Sequence, residues 1–403
     1  MTGVQTCALP ISGISAIIDT SYRKSRRVFL KIGIDTFGCD HGRSGIGSYI
    51  LSLVNNLGNT EVRVELFGPE LDRYTYSSGQ ENVAYTGVSV ADSLLAERLW
   101  HVTSLPSFAK KHGYSAILYP SGTKLLPLKF TVPSVVVMQD VLSDLYQRSD
   151  DGFINGLLRS QLKRVDRIIA SSTFVRDDLV SLKIPESRIT VIHNGIDTSL
   201  FYPRTTANNE AVLIHPFSIR RPYIIYASRV TYPAKKHVEL IRAFELFKKK
   251  TGAPHRLVLA GADGVNAEMV HREVLNSTVA SDILLTGYFP HQSLPELYSA
   301  ADACVFPSAA EGVGLPVLEA MACGIPVACA RAGALPEIAG EAALYYDPDD
   351  PEEIAGAIER IVRNGTGAND SLRSELVARG LAWVQQFSWS KCAAETLETV
   401  AGM

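Results

Sequence analysis

No apolar run in this chain approaches the roughly 20 residues that a membrane-spanning helix needs. An excess of one charge is missing too. Lys and Arg number 39 against 42 Asp and Glu, a net charge of −3, which gives no general argument for nucleic acid as a partner. The six cysteines (Cys7, Cys39, Cys304, Cys323, Cys329, Cys392) show no C-x-x-C pair and no zinc-type spacing. They read as small apolar core residues of a reduced, cytosolic protein. No metal constellation is evident: histidines are not paired, and no Asp-x-Asp is expected at a suitable strand end. What remains is ordinary globular composition, 46% hydrophobic and 20% charged, in 403 residues. That length has room for two domains.

Residues 3–11, GVQTCALPI, resemble the in-frame translation of a sequencing-adaptor oligonucleotide. Residues 1–27 are therefore set aside as an extension outside the fold, with 13–27 left ambiguous between scar and native chain. The first convincing strand is VFLKIGIDT, 28–36, followed by the glycine-rich loop GCDHGRSGIGS and a helix with apolar residues at helical spacing from Ile50 to Leu57. Strand-like runs follow at 62–67, 115–119, 133–138, 167–171 and 188–192. A second series begins at 222–229, with a helix over 236–250, and continues at 257–261, 282–287, 303–307, 325–330 and 342–346. Short apolar strands alternating with helices predict an α/β fold of two Rossmann-like, doubly wound parallel-sheet domains. Periodicity lapses over 194–222, where prolines recur, and the boundary falls there. The expected units are 28–210, 211–385 and a closing helix over 386–403.

The most informative segment is AEGVGLPVLEAMACGIPVACARAGALPEIAG, 310–340. Glu311 precedes a loop containing Gly312 and Gly314, and Glu319 lies inside the helix that follows. Glycines let backbone N–H groups approach a ligand, and a helix N-terminus favours anions, so a phosphate is the natural guest. Carboxylates on either side of it would hold hydroxyl groups, which describes a nucleotide-sugar. With the Gly-x-Gly-Leu-Pro turn, the Glu-Ala-Met-Ala-x-Gly helix end and the later Gly-x-Leu-Pro-Glu, the segment resembles the paired-Glu signature of the retaining glycosyltransferases of family 4. These have the GT-B fold, two such domains facing an interdomain cleft.

The resemblance implies roles for particular residues. Arg229 and Lys235, in SRVTYPAKKHVELIRAF (228–244), would hold the donor diphosphate and neutralise charge on the leaving nucleotide. Glu319 would grip the ribose hydroxyls, and Glu311 would lie against the donor sugar as the residue of choice for catalysis. Backbone N–H groups of Gly314 and Leu315, next to Gly312, would meet phosphate and sugar, and Tyr288 marks the region that lodges the nucleobase. Gly45 and Gly47 in SGIGSY would turn a helix N-terminus toward the cleft, although a simple tight turn reads almost as well. Ser172 and His193–Asn194–Gly195 match the family closely and shape the interdomain face without assigned chemistry. One departure stands out. Where many members carry His at the end of the strand 133–138, this chain has Gln139, followed by the retained Asp140. Gln hydrogen-bonds but cannot exchange a proton near neutral pH, so an essential His base is excluded there.

The expected activity is metal-independent transfer of a hexose, glucose- or mannose-type, from a nucleoside-diphosphate sugar to a saccharide or lipid-linked saccharide, with retained configuration and no cofactor. A catalytically silent nucleotide-sugar binder and a GT-B sugar epimerase stay open as alternatives. The helix over 154–167, with Arg159, Lys163, Arg164 and Arg167 away from its apolar side, reads either as packed on its sheet or as a peripheral contact with an acidic membrane. The expected location is cytoplasmic, with the inner membrane face as the place of any such contact.

Overall fold

The structure, a computed structural model, describes residues 30–42, 44–58, 60–77, 79–142, 152–205, 210–214, 216–362 and 370–403. The extension over 1–27, with Cys7, lies outside them. The first sheet has seven parallel strands: β1 (Lys31–Asp35), β2 (Arg63–Pro69), β3 (Val83–Val88), β4 (Ala116–Tyr119), β5 (Ser134–Met138), β6 (Arg167–Ala170) and β7 (Ile189–Val191), in the order β3-β2-β1-β4-β5-β6-β7. An antiparallel hairpin, β8 (Ala211–Ile214) and β9 (Phe217–Arg220), follows. The second sheet holds β10 (Tyr223–Ala227), β11 (Arg256–Ala260), β12 (Ile283–Gly287), β13 (Ala303–Phe306), β14 (Val327–Ala330) and β15 (Leu344–Tyr346), ordered β12-β11-β10-β13-β14-β15.

The intervening helices are α1 (Gly45–Asn55), α2 (Leu94–Thr103), α3 (Leu105–His112), α4 (Gly152–Leu162), α5 (Thr173–Ser181), α6 (His237–Thr251), α7 (Ala267–Asn276), α8 (Leu294–Ala300), α9 (Leu315–Ala322), α10 (Leu335–Ala339), α11 (Pro351–Ile361), α12 (Asp370–Trp383) and α13 (Trp389–Ala401). Their starts are written locally: Ser44, Ser93, Ser172, Asp350 and Ser388 each cap a helix with a side-chain oxygen.

Helices cover both faces of each sheet, so central strands are apolar throughout. Val135, Val136 and Val137 of β5 are each 2% exposed or less, burial worth about 1.5–3 kcal/mol per side chain. Strand order reverses between β1 and β4 in one sheet and between β10 and β13 in the other. Ligands of open parallel sheets sit beyond the carboxyl ends of strands at such reversals.

The sequence pattern missed three strands. β3 is a half-exposed edge strand, VAYTGV, lacking the solid apolar run that marks its neighbours. The stretch 194–222, read as irregular, contains β8 and β9, a short hairpin of four-residue strands (AVLI and FSIR) that gives the join regular structure. Cys39, Cys304, Cys323, Cys329 and Cys392 are buried free thiols, as small apolar residues would be.

The last helix belongs to the first core. Trp389 meets Tyr49 edge-on at 5.9 Å, and Cys392, Ala393 and Val400 pack among Ile50, Leu53 and Leu118. At the crossing, a side chain on Gly195 would stand 2.1 Å from the Trp389 nitrogen, so only glycine fits.

Candidate functional site

Both strand-order reversals open toward one cleft. From β10 the chain runs through Ser228 into Arg229, whose stem lies over Gly264; a β-carbon there would meet the Arg229 Cδ at 2.9 Å. Arg229 is solvent-exposed and close enough to Asp40, which follows β1 in the other domain, to favour that carboxylate's charge. Lys235 precedes α6. Its backbone carbonyl takes the Tyr226 hydroxyl at 2.9 Å, and its ammonium forms a close ion pair with Glu311. The two sides of that pair are 24% and 14% exposed, so both groups still face the cleft.

The Glu311 loop is braced from two directions. The Gly312 carbonyl accepts hydrogen bonds from Ser171 Oγ at 2.8 Å and Ser172 Oγ at 2.9 Å, both from the first domain. Glu311 itself offers its carbonyl to Ala334 N at 2.8 Å, just ahead of α10. From α10, Glu337 reaches the N-terminus of α5, where Thr173 N donates at 2.9 Å to each carboxylate oxygen and Phe174 N at 3.4 Å to one. His193 Nε2 completes the set at 2.7 Å. Burial pushes the Glu337 carboxyl up, but the bonds from His193 and Thr173 outweigh it and hold the group down at about 2. Glu337 is thus an interdomain clasp attached to the loop that carries Glu311.

Beyond the loop, Gly314 adopts φ +69° and starts α9 with no side-chain cap, which leaves the first N–H groups of the helix turned toward the cleft end of β13. Leu315 is the first residue of that helix. Glu319, one turn on, is buried, and its nearest donor is the Tyr298 hydroxyl at a long 3.4 Å. Burial pushes its carboxyl up to about 7. A carboxylate this poorly supplied is ready to accept hydrogen bonds from a ligand.

On the facing side, Asp140 accepts from Thr123 Oγ1 at 3.1 Å. It is open to solvent yet walled in by the cleft. That enclosure first, and the nearby Glu311 charge second, raise its carboxyl above the usual range. Gln139 is buried, with its Nε2 unpaired, and its carbonyl lies where a β-carbon on Gly312 would come within 2.0 Å. Gly312 is thereby accounted for by domain packing. Gly47 is similar: a side chain there would strike the Gly42 backbone at 2.4 Å, and its N–H is capped by Ser44 Oγ at 3.4 Å. Gly45 has open space around it. Tyr288 follows Gly287 at the end of β12 and is 74% exposed.

Sequence reasoning therefore named residues that the fold brings to one cleft: Arg229, Lys235, Glu311, Gln139 and Asp140. It missed the Asp40–Lys124 ion pair, 2.5 Å long, which bridges the loops after β1 and β4 beside a cavity of about 370 Å³. It also quoted the motif containing Glu337 without giving that residue a task. An Asp-x-Asp does stand at a strand end, Asp347-Pro-Asp349 after β15, contrary to expectation. Asp349 pairs with Lys236, and Asp347 takes the Asp349 N–H at 2.9 Å, so both serve a turn. Among the described residues no group of three or more His, Cys, Asp or Glu is placed to hold a metal ion, and no helix is long and apolar enough to cross a membrane.

Two family models match the chain: Glycosyltransferase Family 4 over residues 43–200 and Glycosyl transferases group 1 over 214–380. Among curated proteins, the O-antigen chain mannosyltransferase B of Escherichia coli is 34% identical over 60% of this chain. The alpha-maltose-1-phosphate synthase of Mycolicibacterium smegmatis is 28% identical over a similar share. These alignments span 61% and 64% of the relatives' own lengths. In fold, the chain is similar to a sucrose-phosphate synthase from Thermosynechococcus elongatus, with TM-score 0.71, 20% identity, and 93% and 98% of the two chains covered. It is also similar to HepE of Anabaena, solved with UDP and glucose, with TM-score 0.70, 18% identity, and 93% and 100% covered.

Proposed function

We propose that this chain, which belongs to the family 4 glycosyltransferases with the GT-B fold, moves a hexose of glucose or mannose type from a nucleoside-diphosphate sugar to a hydroxyl of a saccharide or lipid-linked saccharide, with retained configuration and without a metal. The observation that carries this is the Lys235–Glu311 pair. It faces Asp140 across the cleft, with Arg229 at the neighbouring strand end and the uncapped start of α9 beside it.

In this reading Arg229 and Lys235 bind the diphosphate and neutralise charge as the nucleotide leaves. The N-terminus of α9, at Gly314 and Leu315, receives a phosphate. Glu319 accepts from the ribose hydroxyls, and Tyr288 borders the base. Glu311, held by Lys235 until the donor arrives, positions the sugar. Gln139 cannot take the acceptor's proton, so the proton passes to a leaving phosphate oxygen on the same face of the sugar, which is consistent with retention. The identity to a mannosyltransferase supports the mannose side of the choice.

The test is a thermal-shift screen against UDP, GDP, ADP and their hexose conjugates, followed by transfer assays with the donor that stabilises most. Folded Lys235→Ala and Glu311→Ala proteins should lose transfer by at least a hundredfold. Transfer at the parental rate would overturn the assignment. Stabilisation without transfer to any acceptor would point to a silent binder, and an epimer formed without acceptor to an isomerase.

A further inference from the structure

Two hollows of the first domain share a wall. One is the polar cavity of about 370 Å³ beside Asp40. The other is an apolar groove of about 180 Å³ between α2, the segment after β4, and α4. Arg98, Thr123 and Lys124 line both, so the hollows are neighbours that meet at these three residues. Thr123 also holds Asp140, which ties the polar hollow to the transfer cleft.

The apolar side is unusually bare. Val102, Leu128 and Leu157 line the groove at 46%, 41% and 37% exposed. On the same helix as Val102, Leu95 and Leu99 stand 79% and 62% exposed at i, i+4 spacing, continuing the stripe outward. A stripe at helical spacing is normally packed, and among the described residues nothing covers this one. At the seam, Arg98 makes no hydrogen bond or ion pair among the described residues.

Polar cavity and apolar groove thus meet at the Arg98 cation. We infer that together they are the acceptor site for a phosphate-linked lipid saccharide: the sugar lies in the polar cavity toward Asp140, the phosphate at Arg98 with Lys124, and the hydrocarbon along the groove and the outer face of α2. A soluble oligosaccharide would leave both the cation and the groove without a task. This rests on the glycosyltransferase reading and narrows its acceptor class. It also relocates the expected lipid contact. The helix expected over 154–167 ends at Leu162, so of Arg159, Lys163, Arg164 and Arg167 only Arg159 lies on α4, and Arg167 opens β6; the contact moves to α2, with α4 contributing Leu157.

The probe is farnesyl diphosphate, titrated into the full chain by calorimetry, with inorganic diphosphate and farnesol as controls. The inference expects farnesyl diphosphate to bind at least tenfold more tightly than either control. Arg98→Glu, at a half-buried position, and Val102→Glu, at an exposed one, should each weaken it tenfold or more, while Lys235→Ala changes it less than twofold. Three results would each overturn the inference: equal binding of inorganic diphosphate, loss of binding in Lys235→Ala, which would place the probe in the donor site, or indifference to both α2 variants. Thermal shift with the donor nucleotide on the same preparations keeps the two readings apart. Donor binding retained with no farnesyl diphosphate binding refutes only the lipid site. Loss of donor binding in the parent protein refutes the glycosyltransferase reading itself.

Discussion

Replacing Glu337 by Gln should open the cleft without unfolding either domain. The carboxylate takes Thr173 N, Phe174 N and His193 across the domain interface, and it is about a quarter exposed. Hydrogen bonds to a charged group contribute about 1.5–3 kcal/mol each, and a negative charge at a helix N-terminus adds up to about 1 kcal/mol. Gln keeps one acceptor oxygen and its shape, and solvent screens part of the remainder, so the net loss is about 2 kcal/mol. That shifts the closed-to-open ratio by close to thirtyfold. Because Glu337 braces the Glu311 loop but lies away from the expected nucleotide contacts, kcat should fall roughly ten- to thirtyfold while donor Kd stays within about twofold. The sign with pH is fixed. A carboxyl held at about 2 stabilises the clasp above its unfolded value of about 4.5, and the effect disappears only as pH falls toward 2. Between pH 5 and 9 the clasp is therefore always charged. Steady-state kinetics with donor calorimetry, and the radius of gyration by solution scattering, read the two effects separately. Unchanged kcat with unchanged scattering would refute the clasp, and so would a fall in donor affinity as large as the fall in kcat.

Gly312→Ala places a β-carbon 2.0 Å from the Gln139 carbonyl, so transfer should drop more than tenfold with melting temperature nearly unchanged, since opening the cleft relieves the clash. Glu319 has its carboxyl raised to about 7 by burial, so its charging costs stability as pH rises from about 4.5 through 7. Glu319→Gln should therefore be more stable than the parent at pH 8, by up to about 3 kcal/mol, and no more stable at pH 4, while binding nucleotide more weakly; melts at both pH values and calorimetry check this. Deep in the first domain, His101 sits with Nε2 2.7 Å from Asp35 and Nδ1 2.7 Å from the Glu97 carbonyl. Burial disfavours its charge, but the Asp35 carboxylate outweighs burial and raises the imidazole above its usual value, which favours the imidazolium. Asp35→Asn should cost about 3–5 kcal/mol in urea denaturation at pH 7, as expected for half of a buried ion pair.

The fold was legible because its strands are short solid apolar runs separated by helices of clear period, the signature of sheets buried on both faces. β3 escaped because an edge strand lacks the solid apolar run, and the β8–β9 hairpin because its strands are only four residues long and pair outside the two main sheets. Arg229, Lys235 and Glu311 were legible because each sits in a local motif at a strand end. The clasp was not. His193 and Glu337 are 144 residues apart, and neither segment reveals the other without the folded chain. Asp40 and Lys124 likewise meet only because β1 and β4 are neighbours, an adjacency set by sheet order. The α2 stripe, Leu95, Leu99 and Val102, drew no reading from the sequence, and the structure leaves it bare.

The return of α13 to the first domain has a consequence for how the protein is made. Ser390 touches Asn56 across 334 residues of chain, and Trp389 closes on Tyr49. During synthesis the first sheet emerges before the second, yet the helix that covers α1 and β4 leaves the ribosome only after the second domain. Until then the faces of Tyr49, Ile50 and Leu118 that it buries stay wet, so the nascent first domain waits, incomplete and adhesive, through translation of the whole second domain.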